Sequence, residues 1–312
     1  MLRITEAGAY PDMSEEDYHK DPAPTPSLSS STLRTLVGST LAHAREEHPR
    51  LRSVEKPASD AMDKGKLIHQ LVMDRGTELV RIDAKDWRTK DAKAERDAAR
   101  AEGKIAILEA DYQEVLPSIA TIQDFLRQLP GNPMDPEAYT NEIPCFWREE
   151  LPVWGRMLLD FMPRQASPSA IIYDLKTSAM GSQVKMAAKR LQDALYPIQA
   201  AWYCRGYKKL FGIWPRFVFL CAEVKPPFGI VPIEFDGEAL MYASDRIDTA
   251  VERWSLALET DSWPAYPPKI QRVGLKPWVA EDWIEQMSRA NPGHAMTDRD
   301  TVEYVRIPHH EL

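Results

Sequence analysis

Apolar positions along the chain follow two periods, first that of helices and then that of strands. "SLSSSTLRTLVGSTLAHAREEH" starts on a serine cap and turns Leu33, Leu36 and Leu41 to one side, which predicts a short helix. A polar, proline-bearing link, "PRLRSVEKPAS", leads to "DAMDKGKLIHQLVMD", where Met62, Gly65, His69 and Val72 share a helical face. Residues 85 to 102 are almost wholly alanine and charge and predict a solvated helix. Asp111-Tyr-Gln-Glu114 is a capping-box-like start to another, running to about Leu129.

The texture then changes. "NEIPCFW", a charged turn "REEL" and "PVWGRMLLDFM" predict a β-hairpin, and "SAIIYDLKTS" a third strand. A helix is predicted from Tyr196 to Leu210, with Pro197 tolerated in its first turn. "RFVFLCAEV" and "GIVPIEF" predict a further strand pair. After Asp236 a long amphipathic helix puts Leu240, Ile247, Val251, Trp254 and Leu258 on one side. Residues 1 to about 27 are Pro-rich and read as irregular. The last fifty, bearing Pro and Trp, are weakly patterned and are expected to wrap the body. The whole predicts an α/β or α+β fold: a central mixed sheet flanked by helices, plus an N-terminal helical part. The expected division is an arm and helix over 1–58, the main domain over 59–286 and a tail over 287–312.

Composition adds bounds. The 312 residues suffice for a sizeable core, and 44% hydrophobic with 28% charged residues reads as soluble and globular. The acidic N-terminus has no apolar stretch of signal-peptide kind, and no run approaches membrane-spanning length, so a cytoplasmic protein is expected. Cys145, Cys204 and Cys221 are scattered and read as core thiols; three are too few for an iron–sulfur cluster. A net charge of −8 argues against sequence-blind coating of nucleic acid. It leaves room for a local basic groove, or for a site where metal ions invert the charge.

Candidate chemistry begins with "SAIIYDLKTSAM", which sinks Asp174 and Lys176 into an apolar run. Burying two charges needs a partner, a metal or a reaction to offset desolvation. Spacing alone does not choose, because Asp83–Lys85, Asp91–Lys93, Glu102–Lys104 and Glu223–Lys225 match it too. The first three fall on or at the edge of the solvated helix, where residues two apart lie about 200° round the axis. Glu223–Lys225 runs into Pro226-Pro227 and reads as a solvated sheet edge. Asp174 and Lys176, on a strand, point the same way roughly 6–7 Å apart. Asp160 ends the preceding strand, and a hairpin neighbour brings it beside Asp174. Two carboxylates that close repel unless a cation such as Mg²⁺ or Mn²⁺ sits between them; a structural Asp174–Lys176 pair is the other reading. On the next helix, Gln199 and Tyr203 are four apart on one face.

The ordered set His69, Asp160, Asp174-Leu-Lys176 and Gln199-xxx-Tyr203 resembles the PD-(D/E)XK nuclease superfamily, and within it the RecB-like and above all the RecE-like (exonuclease VIII) exonucleases. The resemblance covers most of the chain, including "SLSSSTLRTL", "MDKGKLIHQLVMD", "DWRTKDAKAERDAARAEGK", "GRMLLDFMP", "IIYDLKTS", "YPIQAAWYCRGYKKLFG" and the late "WPAYPP". It implies that Asp160 and Asp174 bind metal together with the Leu175 main-chain carbonyl, and that His69 completes a second metal position. It implies that Lys176 is the catalytic lysine and that Gln199 and Tyr203 hold DNA and the lysine in place. Glu142 is a further acidic candidate.

The same resemblance implies a DNA exonuclease using two Mg²⁺ or Mn²⁺ ions, resecting linear double-stranded ends 5′ to 3′ in phage-type recombination. It also implies a single-strand annealing recombinase as partner and a ring-like trimer or tetramer. A RecB-like single-strand or flap nuclease and a non-catalytic DNA-end binder are the competing readings. Arg156, Lys185, Lys189, Arg205 and Lys208, with Lys64 and Lys66, are the expected phosphate contacts.

Overall fold

The computed structural model describes residues 3–54, 60–75, 78–178 and 183–290. The N-terminal part holds β1 (Gly8–Ala9), α1 (Glu15–His19), α2 (Ser30–Gly38), α3 (Leu41–Glu47), α4 (Asp60–Met73), β2 (Leu79–Ile82), α5 (Lys90–Ala101), β3 (Ile105–Leu108) and α6 (Glu109–Gln128). Next come β4 (Tyr139–Arg148), β5 (Trp154–Pro163), β6 (Ile171–Ser178), α7 (Val184–Asp193), α8 (Tyr196–Phe211), β7 (Arg216–Glu223), β8 (Ile230–Glu234), α9 (Gly237–Thr260) and α10 (Pro277–Ala290).

Six strands form one mixed sheet in the order β1-β4-β5-β6-β7-β8, parallel only between β6 and β7. Period-two alternation sends its side chains into two layers. On one face Ile172, Phe217, Phe219 and Trp147 pack with α2, α8 and α9. On the other Tyr173, Leu175, Val218 and Leu220 pack with α4 and α6. Asp174 therefore shares the face of Ile172 and looks toward α8. The expected mixed α/β architecture is the one observed.

Several local expectations are corrected. The first predicted helix is two, because Ser39 leaves helical geometry and Thr40 starts afresh, its hydroxyl accepting from the His43 amide as Ser29 does from Thr32. The arm read as irregular carries β1, which extends the sheet beside β4, and α1. Asp83 and Lys85 precede α5, which starts at its Thr89 cap. Two four-residue strands, β2 and β3, flank α5 and pair in parallel, too short to register as a pattern. α6 begins at Glu109, so Asp111 lies in its first turn, and α7 had no sequence signal strong enough to place it. Pro267 opens a second compact unit containing the helix α10, where no regular element was expected. Residues 291–312, most of the expected tail, lie outside the described residues. Among the described residues no helix is long and apolar enough to cross a membrane.

The approach of α8 to the sheet depends on missing side chains. Trp147 and Trp202 pack with ring centroids 4.7 Å apart, and Gly206 of α8 presses against Trp147. A Cβ at Gly206 would come 2.6 Å from that indole. Such overpacking costs about 1–3 kcal/mol. Gly206→Ala is accordingly expected to lower the thermal midpoint by roughly 3–9 °C, read by calorimetry; an unchanged midpoint would show that α8 does not sit this tightly.

Candidate active site

The site forms where β5 and β6 part. Their ladder pairs Phe161 with Tyr173 and no further, so the next residues, Asp160 and Asp174, face each other across an opening. Asp160 Oδ2 accepts a hydrogen bond from the Leu175 amide at 2.7 Å, replacing the missing ladder bond. On the other side of β5 the ladder with β4 skips Glu142, whose φ is 49°, an uncommon left-handed conformation for a strand residue. Leu159 packs in the α8 layer but Phe161 in the opposite one. Alternation shifts by one between them, and Asp160 is left lining the cavity.

Around this pair the chain assembles most of the expected set. Asp174 Oδ1 accepts from Gln199 Nε2 at 2.7 Å, while the Lys176 ammonium lies against Oδ2, which has no hydrogen bond of good geometry. His69, from α4, places Nδ1 3.6 Å from Asp160 Oδ2 and is hydrogen-bonded to the Leu175 backbone. Tyr203 is one helical turn beyond Gln199, and its hydroxyl is 3.4 Å from Ser30. His69, Asp160, Asp174, Lys176, Gln199 and Tyr203 all line one cavity of about 350 Å³. Glu142 lines it too. Gly65 opens onto it, with space where a Cβ would be.

The cavity also holds groups that sequence reasoning missed. Glu15 and His19 come from α1, Ser29, Ser30, Ser31 and Arg34 from α2, and Tyr196 from the start of α8. Glu15 is paired with Lys66 at 3.1 Å and His19 at 3.2 Å. The serine run was legible as a helix start, but nothing in the Pro-rich arm signalled that Glu15 would fold back more than a hundred residues onto the carboxylates.

Charge is concentrated here against the cost of desolvation. Burial pushes Asp160 and Asp174 up to about 6 each, opposed by the Lys176 ammonium. Burial alone would lower Lys176, but the Asp174 and Asp160 charges outweigh it and hold the ammonium above the ordinary lysine value. Burial, then Lys176, bring His69 down to about 4, so its imidazole is neutral at physiological pH. Burial, Glu15 and Asp160 raise Glu142 to about 7. Glu15 runs the other way: His19 and Lys66 overcome its burial and hold it at about 2.

The expected phosphate contacts are scattered. Arg156 lines the cavity, yet it is buried, donating to the Tyr18 carbonyl at 2.7 Å and lying 3.8 Å from Asp21. Arg205 is committed to Glu149 and Asp248, Lys189 to Asp193, and Lys208 to the Gly212 carbonyl. Lys185 is exposed on α7. Lys66 reaches the cavity; the Lys64 and Met62 side chains lie outside the described residues. Among the described residues no three His, Cys, Asp or Glu side chains stand as a closed ligand set. The positive charge beside Asp174 is that of Lys176.

A carboxyl whose folded pKa lies above its unfolded value binds more protons when folded, so its contribution to stability falls as pH rises from about 4 to 6 and stays low above. For Asp174, a rise from 3.8 to about 6 corresponds to about 3 kcal/mol. Without added metal, the stability of Asp174→Asn relative to wild type is thus expected to improve by about 2–3 kcal/mol between pH 4 and 7. Denaturant unfolding across that range checks it; a pH-independent difference would contradict the desolvated-carboxylate account.

No family model matches the chain, and no curated protein matches it. Among solved structures the fold is similar to that of a provisionally assigned exonuclease from Eubacterium rectale, with TM-score 0.55 and 15% identity over 87% of this chain and 98% of that one. A phage-related exonuclease from Haemophilus somnus aligns over 76% of this chain and 96% of that one, at 14% identity and TM-score 0.30. The first of these likenesses establishes a shared fold: a six-stranded mixed sheet flanked by helices.

Proposed function

We propose that this chain is a metal-dependent nuclease that hydrolyses phosphodiester bonds of linear double-stranded DNA from an end. The observation that carries the reading is the convergence of Asp160, Asp174 and Lys176 at the parting of β5 and β6, with neutral His69 beside Asp160. The resemblance to RecE-like exonucleases supports the finer reading: 5′ to 3′ resection in phage-type recombination, an annealing recombinase as partner and a ring-like assembly.

Mg²⁺ or Mn²⁺ fits the donors. Asp174 Oδ2 is buried with the Lys176 ammonium against it, and carboxylate oxygens, one peptide carbonyl and one imidazole are a donor set suited to these ions. In this reading Asp160, Asp174, the Leu175 carbonyl and His69 would hold two ions, which when bound stabilise phosphate charge and lower the pKa of bound water. The chain's own groups then have separable tasks. Gln199 fixes the Asp174 carboxylate through Oδ1, while Lys176 lies against Oδ2, the oxygen a divalent ion would take over. Lys176 orients the attacking water and meets charge on the phosphate. His69, kept neutral by burial, offers a lone pair without adding positive charge.

The test is digestion of a linear duplex labelled at the 5′ or the 3′ end, with Mg²⁺ or with EDTA. Asp160→Asn, Asp174→Asn and Lys176→Ala are each expected to lose about 100-fold or more of the wild-type rate. Wild-type rates in both Asp variants would remove the site. His69→Ala is expected to lower the rate and to be partly restored by excess Mn²⁺, with no acid limb near pH 6.5 in wild type attributable to this imidazole. Identical metal dependence in wild type and the His69 variant would leave a carboxylate-only centre.

A further inference from the structure

Lys176 is held by more than its carboxylate. Its Nζ lies 5.1 Å from the ring centroid of Tyr196 and 5.8 Å from that of Phe219. The two rings meet edge to face, with centroids 5.5 Å apart and planes at 65°. They form a corner that contains the ammonium. Phe219 is fully buried on β7, opposite Asp174 in the parallel register. Tyr196 is partly exposed and lines the catalytic cavity.

The placement of Tyr196 is specific. Leu195 adopts a left-handed φ of 57° and starts α8, so Tyr196 is the first helical residue. Tyr196, Gln199 and Tyr203 then occupy positions i, i+3 and i+7 and share one helical face. Gln199 grips Asp174 from that face, and Tyr196, one turn earlier, reaches Lys176. The ring is fixed from a second side, because the Arg34 guanidinium carbon lies 4.4 Å from its centroid while Arg34 Nη1 donates to the Ala194 carbonyl at 3.1 Å.

We propose that Tyr196 is a positioning residue for Lys176, its ring face keeping the ammonium at the reacting centre when Asp174 is engaged by another cation. The reasoning is a competition. A carboxylate is the stronger partner for Lys176, but it is also the group a divalent ion would take. An aromatic face attracts an ammonium through its quadrupole and offers a Mg²⁺ or Mn²⁺ ion no ligand atom. The ring therefore retains the lysine without competing for the metal. This inference rests on the nuclease reading of the site.

The experiment compares steady-state cleavage of a linear duplex by wild type, Tyr196→Leu, Tyr196→Phe and variants carrying mono-, di- and trifluorinated phenylalanine at 196. Tyr196→Leu is expected to lower kcat by about tenfold with KM changed by less than about twofold. Tyr196→Phe should restore most of the loss, and the rate should fall stepwise as fluorine withdraws electron density from the ring. Should Tyr196→Leu fail to fold, the near-isosteric fluorinated series carries the test alone. Equal loss in Tyr196→Phe and Tyr196→Leu would assign the effect to the hydroxyl and overturn the inference, as would a flat fluorine series or an undiminished Tyr196→Leu. A wild-type protein that cleaves no linear duplex with Mg²⁺ or Mn²⁺ would overturn the nuclease reading and this inference together.

Discussion

Two carboxylates can stay side by side inside an apolar sheet only if positive charge or hydrogen-bond donors are brought to them. An uncompensated buried charge costs several kcal/mol, and Asp160 and Asp174 are respectively 8% and 3% exposed. The chain answers with a lysine two residues along the same strand face, an amide from Gln199 and the Leu175 N–H. The answer is incomplete: burial still holds both carboxyls at about 6, above the ordinary aspartate value. Carboxyls perturbed in this way and lining a cavity mark a candidate functional site.

The rest of the architecture serves that arrangement. The parting of β5 from β6 makes the opening, and the kink opposite Glu142 turns Asp160 into it. Gly206 lets α8 lie close enough for Gln199 to touch Asp174 and for Tyr196 to touch Lys176. α4 delivers His69 from the opposite layer, and the N-terminal arm closes one wall with Glu15. Elements from four regions of the sequence thus meet where β5 and β6 part.

The fold was legible wherever a period persisted. The β4–β5 hairpin, β6, α8 and α9 arise from long runs with one repeat, and Asp236 and Ser29 cap where their chemistry says they should. Four-residue β2 and β3 are too short to show a period. Ser39 breaks a helix that its flanking leucines would continue. That Asp174 and Lys176 share a strand face, and Gln199 and Tyr203 a helix face, could be read from spacing; that Gln199 grips Asp174 rather than the lysine, and that the Tyr203 hydroxyl lies by Ser30, could not. Glu15, Arg34 and Tyr196 could not, because their places depend on how the arm and the α7–α8 turn fold back. Nor could the commitments of Arg205 and Lys189, since a cation in a sequence does not declare which carboxylate will take it.

Calorimetric titration of the protein with Mn²⁺, in buffers of differing ionisation enthalpy, tests most directly whether this carboxylate pair is a cation site. The account predicts saturable binding that releases protons at pH 6, where both carboxyls are part-protonated. Release should fade by pH 8, and Asp160→Asn and Asp174→Asn should lose the binding. Absence of saturable binding in the wild type, or binding undiminished in both variants, would contradict it.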